Sequence, residues 1–217
     1  MTSIAPPLTT ERGRTFRLSR DEIAARLARP VVPPCADDRH ITTHAPGARV
    51  MHAAVLVPLI PRADEIHVLL TQRTPHLNDH PSQISFPGGR VEGGDENRTE
   101  TALREAEEEI GLARDRVDIL GFLPDYDMPS GFRVSPVVGW IEPPLELKLD
   151  PVEVDSAFEV PLSFLFDPAN HQRRTYHFND RHRSYLAMPF EGRYIWGATA
   201  AMLYSLYRQL TTDSSDR

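Results

Sequence analysis

The 217-residue chain carries 24 Lys and Arg against 31 Asp and Glu, a formal charge of −7, with 40% apolar and 25% charged residues. This fits one large domain or one domain with arms, and excludes a disordered chain, a collagen-like repeat and a disulfide scaffold. The acidic balance disfavours a phosphate-backbone surface, so no nucleic-acid partner is expected, and the longest apolar stretch, Ala53 to Ile60, is broken by Pro58 and far shorter than the roughly 20 residues of a membrane-spanning helix.

The single cysteine, Cys35, forms no internal disulfide and offers no zinc spacing, which is consistent with a reducing compartment and a cytoplasmic location. The first residues lack the apolar core of a secretory signal. Arg12, Arg14 and Arg17 faintly resemble an organellar transit peptide, but residues 1–48 are read as a polar arm with one short helix. That helix is Ser19 to Arg29, where a capping residue precedes Ile23 and Leu27 and Pro30 ends the turn. Residues 49–212 form the domain and 213–217 a polar tail.

Within the domain, Ala53–Ile60 and Ile66–Arg73 are Val-, Ile- and Leu-rich runs around PRADE, which predicts a hairpin. A polar loop, Thr74 to Ser85, then leads into Phe86-Pro87-Gly88-Gly89, where adjacent glycines permit close backbone approach, and that loop feeds a helix. Val117–Leu123 and Arg133–Ile141 are strand candidates separated by the turn-rich DYDMPSG, and Pro136 places the second at an edge or a bulge. Glu142 to Asp150 is a proline-bearing connection, and Asp155 to Phe166 mixes strand and helix signals. Arg173–Phe178 and Ser184–Phe190 predict a strand pair, and Gly197–Leu210 a final helix. No internal repeat is visible.

The helix after the glycines has an unexpected charge pattern. Asn97 to Glu100 has the form of a capping box and Gly111 is a C-terminal stop. With Glu105 at 0° and about 100° per residue, Glu108 falls near 300° and Glu109 near 40°. Three carboxylates thus share one face beside the apolar stripe of Ala102, Leu103, Ala106 and Ile110, while Glu107 points away. Like charges at these spacings cost about 0.2–0.5 kcal/mol per pair, and acids in a last turn oppose the helix dipole by about 0.3–1 kcal/mol each. A hard divalent cation would offset this. A solvated acidic face with Arg104 as partial counterion is the alternative. Gly88-Gly89-Arg90-Val91-Glu92 just before the helix can offer carbonyls to a metal or N–H groups to phosphates, which favours the ion.

Arg104-Glu105-Ala106-Glu107-Glu108-Glu109-Ile110-Gly111-Leu112 resembles the R-E-U-x-E-E-x-G-U half of the Nudix box, U being aliphatic. Counting from Gly89, Asp95 occupies the usual acidic position, but eight residues, not seven, separate it from Arg104; this reads as one extra residue near the helix start, and no role is assigned to Asp95 or Glu96. Leu69-Leu70-Thr71-Gln72-Arg73 followed by Phe86-Pro87-Gly88-Gly89 resembles the segment marking coenzyme A pyrophosphatases within that superfamily. Thr74, Asn78 and Ser82 depart from the pattern, and Asn78 replaces a basic residue. Glu153-Val154-Asp155, Phe158 to Leu162 and Tyr194 to Ala200 extend the similarity over roughly residues 50–210.

The resemblance implies an α/β class, the Nudix fold, an α/β/α sandwich with a mixed sheet, and hydrolysis of a diphosphate with Mg²⁺ or Mn²⁺. For coenzyme A the products are 3′,5′-ADP and 4′-phosphopantetheine. It further implies Glu105, Glu109 and Glu108 as metal ligands with the carbonyl of Gly89, Arg104 as an orienting residue, and Glu108 or Glu153 as general base. Arg73, Phe86, Gly88, Gly89 and Arg90 are the substrate-binding candidates. The implied partner is a small nucleotide-diphosphate of the coenzyme A class, and a homodimer follows from the family alone. A hydrolase of ADP-ribose, dinucleotides or nucleoside triphosphates is the alternative, and a non-catalytic nucleotide-sensing module a second.

Other residues carry weaker readings. Arg173, Arg174, Arg181, His182 and Arg183 form a basic patch, read as a solvated hairpin face or a contact for a 3′-phosphate. His76 and His80 are loop histidines, and Trp140, Trp196 and the aromatics of Phe158–Phe166 are assigned to the core or a dimer interface.

Overall fold

The computed structural model describes residues 18–30, 50–77, 79–128, 130–178 and 181–212, with the backbone alone at 176–178 and 181–183. Two strands, β1 (Met51–Pro61) and β2 (Ile66–Arg73), form the expected hairpin, with Leu59 opposite Val68 and the turn closed by the Arg62 N–H donating to the Glu65 carbonyl at 2.9 Å. Their continuous apolar runs reflect burial on both faces of a central sheet rather than on one.

That sheet grows on both sides. β3 (Ile84–Ser85) pairs with β2, and β4 (Gly88–Arg90) runs antiparallel to β1, placing Gly89 opposite Ala54. Gly88 to Arg90 are therefore paired strand, not only loop. After α2 (Arg98–Ile110) come β5 (Asp118–Phe122), β6 (Tyr126–Asp127) and β7 (Phe132–Trp140); β7 runs parallel to β1 and makes the sheet mixed. β8 (Val154–Pro161) closes against β2, and α3 (Leu162–Leu165) follows at once, which explains the mixed signals over Asp155–Phe166. A separate three-stranded sheet contains β9 (Gln172–Phe178), β10 (Arg181–Phe190) and β11 (Arg193–Trp196) and leads into α4 (Gly197–Thr211).

Two apolar layers flank the mixed sheet. On one face Ala102, Ala106 and Ile110 of α2 pack on Ala54, Leu56, Ile60 and Leu69. On the other, Val57, Leu59, Val68 and Leu70 meet Leu186, Met188 and Ile195 of the second sheet and Leu203 and Leu206 of α4. This is the α/β/α sandwich with a mixed sheet that the resemblance implies. The short helix α1 (Arg20–Leu27), capped reciprocally by Ser19 and Glu22, inserts Ile23 and Leu27 into this second layer, so it is packed structure within the segment read as an arm.

Some local expectations are corrected. Pro136 lies in an interior strand, since β7 has β1 on one side and β5 and β6 on the other; the proline falls where β5 gives way to β6, and its carbonyl accepts the Leu123 N–H at 3.1 Å. Asn97 caps α2 by accepting from the N–H groups of Thr99 and Glu100, but the Glu100 side chain takes Arg114 instead of closing the box. Trp140 is buried, whereas Trp196 is exposed.

If α1 is part of the core, Ile23→Ala creates a cavity at a fully buried site and lowers unfolding free energy by about 2–5 kcal/mol. Urea unfolding measures this; wild-type stability in the variant would show that the helix is not integral.

Candidate active site

The cap at Asn97 and the left-handed Gly111, with φ of 68°, fix the ends of α2 and therefore the direction of its acidic face. Glu109 points inward against the glycine strand: one carboxylate oxygen accepts the Gly88 N–H at 3.2 Å, the other lies 3.6 Å from Nη1 of Arg73, and its side chain is only 4% exposed. Arg73 stands where the β2–β8 register shifts, and its Nη2 lies 4.0 Å from Glu153. The register brings Gly89 beside Glu105, where a Cβ would lie 2.4 Å from Oε1, so no side chain fits there without displacing the carboxylate.

Arg104 organises the other half. Its Nε and Nη2 donate to the two oxygens of Asp95 at 3.0 and 3.1 Å, Nη2 also reaches the Arg90 carbonyl at 3.1 Å, and Nη1 pairs with both Glu105 and Glu108 at 3.0 Å. Asp95 in turn accepts from the Glu92 N–H and the buried Thr101 hydroxyl, each at 2.9 Å. The sequence placed Asp95 at the usual acidic position, six residues after Gly89, but assigned it no role because of the insertion after it, and Thr101 was not singled out.

The electrostatics follow from these contacts. Burial pushes the Glu109 carboxyl up to about 8; Arg73 and the Gly88 N–H act against it, and Glu153 and Glu105 reinforce it. Burial also raises Glu105, with Arg104 opposing and Glu108 and Glu153 adding repulsion. Hydrogen bonds from Arg104, then from the Glu92 N–H, hold Asp95 far below the usual carboxylate range.

The structure therefore brings Glu105, Glu108, Glu109, Gly88, Gly89, the backbone of Arg90, Arg104, Arg73 and Glu153 into one region, while the Arg90 side chain lies over Phe132. Phe86 does not join them as a ligand: it is 2% exposed and packs in the core, so its contribution is to hold the glycine strand in place. Glu108 and Glu153, the candidate bases, retain side-chain exposures of 59% and 45%. Among the described residues no three His, Cys, Asp or Glu side chains are already gathered as a metal cage. Two arginines separate these carboxylates instead. The donor set still fits a hard divalent ion, because it is all oxygen, partly desolvated and mutually repulsive, with a glycine where a Cβ would intrude. In the basic patch, Arg174 donates to Gln172 at 2.6 Å, and the side chains of 181–183 lie outside the described residues. Asn78 also lies outside them.

The NUDIX domain family matches residues 50–181. Uncharacterized Nudix hydrolases named NudL are similar: that of Escherichia coli K12 is 39% identical over 159 residues, and that of Citrobacter koseri 40% over 159, each match covering 73% of this chain and 82% of the relative. The solved structure of DR0079 from Deinococcus radiodurans, 16% identical, superposes with a TM-score of 0.50 over 77% of this chain and 91% of that one, a likeness of fold alone. The chain belongs to the Nudix family and is a Nudix hydrolase. No helix among the described residues is long and apolar enough to cross a membrane.

The raised Glu109 has a defined consequence for the metal-free protein. The folded state binds a proton that the unfolded carboxylate has released between about pH 4.5 and 8, so this group's contribution to stability declines as pH rises through that window. Glu109→Gln is expected to match wild type near pH 5 and to melt at higher temperature near pH 8. Thermal melts in chelator measure this, and equal pH dependence of the two proteins would contradict it.

Proposed function

We propose that the chain hydrolyses the diphosphate of coenzyme A or its derivatives, releasing 3′,5′-ADP and 4′-phosphopantetheine. The observation that carries this reading is the convergence of the two marker segments on one carboxylate: Arg73 from the first and Gly88 from the second both contact Glu109. Glu105, Glu108, Glu109 and the Gly89 carbonyl are the groups that would hold Mg²⁺ or Mn²⁺. Such ions neutralise diphosphate charge and lower the pKa of bound water.

The chain's own residues supply the rest. Asp95 holds Arg104, and Arg104 holds Glu105, Glu108 and the Arg90 carbonyl, so one guanidinium spaces the acidic face from the strand opposite. Glu108 and Glu153 are exposed enough to accept a proton from an attacking water, and Arg73 neutralises Glu109 and Glu153 in turn. Attack falls on phosphorus. A cytoplasmic location and a homodimer belong to the same proposal.

Chromatography of coenzyme A, acetyl-coenzyme A, ADP-ribose and a nucleoside triphosphate after incubation with Mg²⁺ or Mn²⁺ tests it. The expected result is 3′,5′-ADP from the coenzyme A substrates, reduced at least a hundredfold in Glu105→Gln. Cleavage of ADP-ribose alone would overturn the specificity.

A further inference from the structure

β4 turns its residues alternately to the two faces of the sheet. Gly89 meets Glu105 on the α2 side, so Arg90, one residue on, is directed to the opposite face. There it lies beside Ala53 of β1, and its guanidinium carbon sits 5.0 Å from the centroid of Phe132, which is carried by the neighbouring β7 and paired with Met51. The side chain thus spans β1 and lies over an aromatic ring. It remains 66% exposed, with Asp79 of the preceding loop 4.0 Å from Nη2. Its carbonyl is fixed by Arg104, so the backbone that carries it is tied to the catalytic helix.

An exposed ion pair at 4.0 Å contributes little to stability, and neither contact uses the open side of the guanidinium. What the arrangement offers is a planar cation, backed by a partly buried ring on one side and open to solvent on the other, one residue from the glycine beside the catalytic carboxylates. Guanidinium planes stack well on nucleobases, and a lysine in the same place cannot do so.

We propose that Arg90 is a stacking plate for the nucleobase of the substrate and that Phe132, itself packed against the core on this face, is the positioning residue that holds it flat. The inference rests on the substrate being a nucleotide diphosphate and names the part of it that is read here. Arg90 directly follows Gly88 and Gly89 in β4, so its guanidinium stands next to the strand proposed to hold the diphosphate.

Titration calorimetry with 5′-AMP and ribose 5-phosphate, which share the phosphate and differ by the base, tests this without hydrolysis. Wild type is expected to bind 5′-AMP roughly tenfold or more tightly than ribose 5-phosphate, the scale of one base-stacking contact. Arg90→Ala, Arg90→Lys and Phe132→Leu are each expected to bring the ratio close to one, while thermal melts confirm folding of the exposed Arg90 variants. A wild-type ratio near one, a ratio preserved by Arg90→Lys, or a ratio unmoved by Phe132→Leu overturns the plate. Failure to cleave coenzyme A with the ratio intact discards that substrate and keeps the plate; cleavage with no ratio discards the plate alone.

Discussion

A carboxylate buried against a glycine strand governs this structure. Glu109 is removed from water by the same packing that seats Ala102, Ala106 and Ile110 of α2 on the central sheet, so the helix cannot bury its apolar stripe without also burying an acid. The Gly88 N–H and Arg73 satisfy it only in part, and burial still leaves its proton affinity far above that of an ordinary glutamate. Glu105 beside it is raised for the same reason. The interior edge of α2 is thus a carboxylate site that its arginines compensate only in part, a liability for folding and an asset for binding a cation.

Two arginines manage that liability from opposite ends. Arg104 is itself anchored by Asp95, whose carboxyl these hydrogen bonds hold far below the usual carboxylate range. Arg73 comes from β2, so the hairpin, the glycine strand and the helix meet at the acidic face. Carboxylate positions in the candidate site therefore depend on the register of β1 with β2, β4 and β7, and its geometry is a product of the sheet as much as of the helix that supplies the acids.

Much of this was legible in the sequence because local rules and tertiary demands coincide. The spacing of Glu105, Glu108 and Glu109, the Asn97 cap and the Gly111 stop placed the acidic face correctly, and the mixed sandwich followed from the resemblance to the Nudix box. The misses lie where a partner far along the chain decides. Glu100 left its capping box for Arg114, Phe86 entered the core instead of the ligand surface, and Pro136 found a gap between two strand segments in the interior of the sheet. The insertion before Arg104 left Asp95 without an assigned role, although its carboxylate meets that arginine. Arg90 and Phe132 are 42 residues apart in sequence, and only their shared neighbour β1 brings them together.

We propose that the acidic face holds a divalent cation. The most direct measurement is titration of the metal-free protein with Mn²⁺ at pH 7.5, followed by electron paramagnetic resonance of the free ion, for wild type and Glu109→Gln. Saturable binding in wild type, weakened at least tenfold in the variant and accompanied by proton release in wild type, is the predicted result. Absence of saturable binding by folded wild-type protein, or equal binding by both proteins, would contradict it.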